Sequence, residues 1–323
     1  MELFNQSKTY AFMSKRFLFL GISTLFVIAS IVSIFTKGFN WGIDFTGGSV
    51  VQVKYEQNAP IDLIREKLKE SHLFSNASIT EFGSPNEVVI KFSSTTEALG
   101  SDIGDKISEI LKGSGNYEIR RVDMVGPKVG NELREKGILA LTFAVAGILI
   151  YVAFRFEWRF AVASVLALLH DLIVSIGAVS AFDIEVNLDI LAALLTILGY
   201  SINDSIIVFD RIREQIHVTK ITTVVDLIDE AVSKTLSRTI LTSLTVFLVV
   251  LTLLLFGGEI IHGFSFTLIV GVVFGTYSSV FIAAALLQYF NFSILDYRQK
   301  EVDKQKRAKE KEKLRNMTEQ GTI

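Results

Sequence analysis

LDILAALLTILGYSINDSIIVF, residues 188–209, is apolar for long enough to cross a bilayer as one helix of about 20 residues. Its second half nevertheless carries Asn203 and Asp204 between apolar neighbours. An Asp near the middle of a membrane helix costs about 2.5–3.5 kcal/mol on insertion scales. Thr196, Tyr200, Asn203 and Asp204 follow a 4-3-1 spacing that puts them on roughly one helical face. Gly199, beside that face, would let a neighbouring helix approach closely. Two readings of Asp204 stand at this point. Either it handles a proton or ion inside a bundle, or it fixes helix packing or stays wet near the headgroups.

Composition agrees with a membrane protein. The 323 residues are 50% hydrophobic and only 20% charged, with a mean hydropathy of +0.44, too apolar for an ordinary soluble chain of this length. A formal net charge of −2 gives no reason to expect nucleic acid as a partner. The absence of cysteine excludes disulfides, thiolate metal sites and thiol nucleophiles. His72, His170, His217 and His262 show no ligand spacing, so neither metal nor cofactor is expected.

Five further apolar runs, at 17–35, 138–154, 160–182, 239–256 and 264–290, bring the expected spans to six. The 1–16 lead ends in Lys15-Arg16, and the first run, read with its flank as a helix over 17–36, is too long for a signal-peptide core and has no Ala-x-Ala site after it. Lys and Arg between the spans concentrate in 155–159, 210–238 and the tail from Arg298, while 183–187 and 257–263 hold none. The positive-inside rule then places both termini in the cytoplasm and the 37–137 segment outside. Within the 210–238 link, residues 211–237 have Val224, Ile228, Ala231 and Thr235 at helical spacing among charges, as expected of a helix lying on the membrane surface. The 291–323 tail is expected as a charged, solvated helix or a disordered segment.

The 37–137 segment reads as one small domain. A Gly-broken turn and Val-rich strand (41–55), a helix (60–74), two strands (77–82 and 87–92) joined around Ser84-Pro85-Asn86, a helix (96–111) and a last strand (117–125) give the order βαββαβ. That is the ferredoxin-like arrangement, which carries no function by itself. Gly42, Gly47 and Gly48 on one side and Pro127 on the other are expected at the hinge points where the domain joins the membrane helices.

Other polar groups lie inside the spans. His170-Asp171 sits about 18 Å from the basic end of the third, with Ser175 one turn on, and is either a second proton site at a different depth from Asp204 or a structural hydrogen-bonded pair. Arg238, Thr242 and Thr245 form a stripe into the fifth span, so Arg238 either snorkels to the headgroups or faces protein and pairs with Asp204. In the sixth, Gly271, Gly275, Ser279 and Ala283 recur every four residues as a seam for close helix packing.

GIDFTGG at 42–48, Val-Gly-Pro at 125–127, GYSINDSIIVFDRIRE at 199–214 and SKTLSRTILTS at 233–243 together resemble the SecF family of bacterial protein-export membrane subunits. The resemblance runs from the first span to the sixth. It implies a six-helix half of an RND-type transporter with an inserted extracytoplasmic domain, in the inner membrane. It implies a proton-driven translocase subunit rather than an enzyme, paired with SecD and pulling unfolded exported polypeptide from SecYEG with the proton-motive force. YajC and YidC are further partners expected from it. In the family the Asp of the Asn-Asp pair and the Arg opening the fifth span belong to the proton pathway; these match Asp204, beside Asn203, and Arg238. The family pathway also uses a SecD carboxylate, so this chain alone should not complete it. A small-molecule or lipid exporter of RND type is the competing reading, but such exporters usually carry two six-span halves in one chain. A passive scaffold for SecD leaves the cost of burying Asp204 without a purpose.

Overall fold

Six helices long and apolar enough to cross a membrane form one bundle in the computed structural model, which describes residues 9–71, 74, 77–92, 103–218, 223–290 and 292–319. The first is α1 (Arg16–Lys37), entered through a 3-10 turn at Met13–Lys15 and stopped at Gly38, whose φ of 73° a side-chain-bearing residue rarely adopts. After the inserted domain come α5 (Pro127–Arg155), α6 (Trp158–Ala181), α7 (Leu188–Val218), α8 (Val224–Phe256) and α9 (Gly258–Ser278). The last continues through a π-helical stretch at Ser279–Ala283 into α10 (Ala284–Tyr289). Helices α6, α7 and α9 pack on one another at the centre, whereas α1, α5 and α8 sit at the periphery and leave most of their apolar surface uncovered by protein. That surface is what lipid or a partner covers in a membrane.

Between α1 and α5 lies the inserted domain: a one-turn helix α2 (Ile43–Thr46), β1 (Gly48–Tyr55), α3 (Ile61–Glu70), β2 (Ser78–Phe82), β3 (Ser84–Phe92), α4 (Ile103–Ile110) and β4 (Tyr117–Val125). The strands pair antiparallel in the order β2-β3-β1-β4, the ferredoxin-like sheet. Period-two alternation sends Val51, Val53, Tyr55, Val88, Ile90 and Phe92 to one face. There they meet Ile64 and Leu68 of α3, Ile103 and Ile107 of α4, Leu111 just beyond it, and Phe74. The opposite face, with Val50, Gln52, Lys91 and Arg121, looks across an open cleft of about 390 Å³ at the 183–189 loop and the start of α9.

Several boundaries differ from the sequence reading. The 41–55 stretch contains α2 before its strand. β3 starts at Ser84 and runs through Pro85, because Gly83 with φ 71° makes the turn alone. The expected 96–111 helix is seen from Ile103; residues 96–102 lie outside those described, as do 1–8 of the lead, 72–73 of the 60–74 helix, 219–222 of the fourth link, Asn291 and 320–323 of the tail.

Two corrections matter more. The segment expected on the membrane surface, 211–237, is divided between the end of α7, up to Val218, and the first part of α8, from Val224. Ile228, Ala231 and Thr235 are buried against protein because the helix continues without a break into the fifth span. Residues 9–16 of the lead pack on it: Met13 N–H donates to Asp229 Oδ1 at 2.8 Å and Tyr10 N–H to Ser233 Oγ at 2.8 Å. The 257–263 link also shrinks, since α9 begins at Gly258. At the other end of the bundle, where α7 and α10 finish, the tail helix α11 (Ile294–Glu319) is held at its start, with Arg213 Nε donating to Tyr297 Oη at 2.8 Å and His217 2.8 Å from Glu301.

Candidate functional site

Two carboxylates lie inside the bundle at different levels, one on α6 and one on α7. Asp171 is fully buried. Its Oδ2 accepts from Ser201 Oγ of α7 at 2.6 Å and from Ser278 Oγ at the end of α9 at 2.7 Å, while Oδ1 lies 2.9 Å from His170 Nδ1. Three helices therefore meet on one side chain. A buried carboxylate supplied with that many donors is held in place, and each donor loses a partner if it goes. Ser175, one turn on, is buried with no partner for its hydroxyl among the described residues.

Asp204 is equally inaccessible but poorly served. Its Oδ2 lies 3.5 Å from Ser243 Oγ, the outer limit of a hydrogen bond, and its Oδ1 has no partner among the described residues. Ser243 in turn accepts from Thr276 Oγ1 at 2.7 Å. Tyr200 Oη is buried beside Ser243, Thr276 and Thr242 without meeting hydrogen-bond geometry. On α7 only three positions separate Ser201 from Asp204, and on α9 only two separate Thr276 from Ser278, so the two carboxylate clusters are neighbours along the same two helices.

The 4-3-1 set is split by the structure. Asp204 points into the bundle, whereas Thr196 and Asn203 are exposed on the outside of α7. Gly199 shares that outer side, and a Cβ there would meet nothing within 4 Å, so among the described residues no helix uses its small size. Arg238, Thr242 and Thr245 are likewise exposed. Arg238 makes no ion pair with Asp204 within 4.0 Å, although its charge acts on that carboxylate. Thr242 and Thr245 return their hydroxyls to their own helix at 2.8–3.0 Å. The residue of α8 that reaches Asp204 is Ser243, which the sequence pattern did not single out.

The α9 seam is tight. A Cβ on Gly271 would lie 2.2 Å from Ile197 of α7, and one on Gly275 would lie 3.2 Å from Ser201 Cβ and 3.6 Å from Asp171 Oδ2. Ser279, buried, opens the π-helical stretch immediately after Ser278. Such a stretch shifts helix phase by one residue, and here it follows the donor to Asp171.

Gly42, Gly47, Gly48 and Pro127 do not form a slack joint. Gly42 N–H donates to Val186 O at 2.8 Å, and Val186 N–H to Asn40 O at 2.7 Å, so the chain leaving α1 bridges to the α6–α7 loop. A Cβ on Gly47 would stand 2.8 Å from Pro127, and one on Gly48 2.5 Å from Phe92 O. Gly130 in turn faces Gly47 and Phe45 at 2.9–3.0 Å. Pro127 occupies the first turn of α5, where its missing N–H costs nothing. Gly47 and Gly130 lack side chains because the start of α5 is pressed against α2, the turn between Gly42 and Gly47. Asp44, between them, reaches the helix that carries Asp204: its Oδ2 accepts the Leu188 N–H at 3.0 Å, capping α7 together with Asn187, whose Oδ1 accepts from Ile190 N–H at 3.1 Å. Lys91 of β3 adds an ion pair to Glu185 at 3.1 Å.

Comparison with known proteins gives one family. Residues 106–293 match the model of the protein export membrane protein SecD/SecF C-terminal region, and residues 32–59 match that of the SecD/SecF GG motif. A protein translocase subunit SecF from Helicobacter pylori strain J99 is 48% identical over 323 residues, covering all of both chains. One from Escherichia coli O157:H7 is 41% identical over 288 residues, 88% of this chain and 89% of that one. A crystal structure of SecDF from Thermus, described as a translocon-associated membrane protein, superposes with a TM-score of 0.78 at 34% identity. It covers 90% of this chain, which spans only 40% of the SecDF chain.

Proposed function

Because the chain belongs to the SecF family of protein translocase subunits, we propose that it is the SecF half of a proton-driven export motor. In that reading it pairs with SecD in the inner membrane, keeps both termini in the cytoplasm and holds its domain outside. There it acts on unfolded polypeptide leaving SecYEG, with YajC and YidC as accessory partners. Asp204 carries the proposal. Its carboxylate is shut inside the bundle with one oxygen unpartnered, beside Arg238 and a serine–threonine pair. A carboxylate in that state gains or loses a proton with a large change in its surroundings. Asp171, satisfied by three donors, suits a structural knot better than a relay.

The exposed Asn203, Gly199, Arg238 and Thr242 favour a partner helix over lipid on that face, since polar groups in hydrocarbon seek protein. SecD, which would add the missing carboxylate, is the partner we assign to it; the match to less than half of a SecDF chain supports the pairing. Moving one charge through the field supplies about 2.3 kcal/mol per 100 mV, enough to bias two arrangements of a bundle. The contacts from Asp44, Gly42 and Lys91 would carry a shift of α7 into the domain.

The test is Asp204→Asn in complex with SecD, assayed for export with and without a proton gradient. The variant is expected to insert and assemble normally and to lose only the gradient-dependent part. Undiminished gradient-driven export by the variant would overturn the proposal.

A further inference from the structure

A second feature has no part in proton handling. At the domain end of the bundle a groove of about 320 Å³ opens between the segment that follows α1, α2, α5, α6 and α7. Phe39, Trp41 and Phe45 close its domain side, Ile138 and Leu141 of α5 form one wall, and Ile176 and Leu194 belong to the facing helices. Except for Arg134 at its mouth, every side chain lining it is apolar or glycine. Gly137 helps to open it, since even a Cβ there would come within 3.0 Å of Leu191.

Its level in the membrane follows from the same helices. Ile138 begins the second apolar run, so Arg134, four residues earlier on α5, stands about 6 Å further out, at headgroup height. The guanidinium lies 4.6 Å over the Trp41 ring, an aromatic–cation pair of the kind that marks the membrane–water boundary. No acidic side chain pairs with Arg134 within 4.0 Å among the described residues. Glu132, the acid two positions before it, is engaged with Lys136 at 2.8 Å, and Glu135 does not line the groove. An apolar slot at acyl-chain depth, roofed by aromatic rings and ending in an uncompensated guanidinium at phosphate height, matches one kind of molecule in charge and polarity.

We propose that this groove is a binding site for an anionic phospholipid, whose acyl chain lies along Ile138, Leu141, Ile176 and Leu194 and whose phosphate meets Arg134. Arg134 suits the phosphate because its planar fork donates two hydrogen bonds to a pair of oxygens while its face stays on Trp41. A lipid seated there touches the chain just before Gly42 and the first part of α5. It therefore wedges between the elements that fix the domain to the bundle.

Trp41 and Trp158 are the two tryptophans of the chain, and Trp158 begins α6 at the opposite end of the bundle. Trp158→Phe leaves Trp41 as a reporter inside the site. The full-length variant is reconstituted in phosphatidylcholine vesicles containing a small fraction of either dibrominated phosphatidylglycerol or dibrominated phosphatidylcholine, and quenching of Trp41 is measured. With Arg134 present, the brominated phosphatidylglycerol is expected to quench at about fivefold lower mole fraction than the brominated phosphatidylcholine, the preference one interfacial cation confers. Arg134→Gln should remove the preference and Arg134→Lys should keep part of it; Arg134 is exposed, so neither threatens folding. Equal quenching by the two lipids with Arg134 intact would overturn the proposal, as would loss of quenching when the partner subunit is co-reconstituted, which would assign the groove to a partner helix.

Discussion

Replacing Asp44 tests whether the domain and the Asp204 helix are mechanically joined. Asp44→Ala removes an acceptor of the Leu188 N–H at the first turn of α7. Loss of such a cap costs about 1 kcal/mol, and loss of a negative charge at a helix N-terminus about 0.3–1 kcal/mol. Asp44 is half-exposed, so solvent screening keeps the sum near the low end, about 1–1.5 kcal/mol. Helix α7 itself should not unravel, because Asn187 still caps Ile190. The domain should not detach, because the Gly42–Val186 and Val186–Asn40 hydrogen bonds and the Lys91–Glu185 pair remain. The expected effect is local: amide exchange at Leu188 about five- to tenfold faster, with the domain strands unchanged. Asp44→Asn keeps an acceptor and loses only the charge, so its exchange should rise about two- to threefold. Gradient-driven export, measured on the same variants with SecD, should fall in the same order. Unchanged protection at Leu188 in Asp44→Ala would refute the joint, whatever export does.

Asp171→Ala should lower the stability of the purified protein by about 2–4 kcal/mol, read as a drop in the thermal midpoint in detergent, because Ser201, Ser278 and His170 all lose their partner; Asp171→Asn, which keeps one carbonyl oxygen, should cost less. Gly271→Ala should destabilise the isolated subunit by about 1–3 kcal/mol by driving a methyl into Ile197, whereas Gly199→Ala should leave its melting unchanged and weaken only co-purification with SecD. Arg238→Lys should retain more gradient-driven export than Arg238→Met if charge near Asp204 is what matters; equal, full activity of both would reduce Arg238 to a headgroup anchor.

Six apolar runs, one per helix, and a βαββαβ order were legible in the sequence because each depends on a local period: about 20 apolar residues for a span, alternation for a strand, and 3.6 for α3 and α4. Asp204 was legible as well, since a carboxylate within an apolar run is conspicuous by type alone. Direction was not. Asp204 and Asn203 are adjacent, yet one faces the bundle and the other its surroundings, and a spacing argument gives them a common face. Where an apolar pattern ended also misled: charged residues after 209 and before 239 read as a separate link, although α7 and α8 simply run beyond the membrane and pack there on residues 9–16 and α11. Serine and threonine gave no signal because they are common in helices and bond back to the preceding turn, as Ser243 does to Thr239 O at 2.7 Å. Only the packing of α6, α7, α8 and α9 selects Ser201, Ser278 and Ser243 from the rest. The glycines near the domain were visible as residues free of Cβ, which permits either a hinge or a close approach. Tertiary structure chose close approach, because Gly47 meets Pro127 and Asp44 meets Leu188, and contacts made 80 and 144 residues apart have no local period from which to be read.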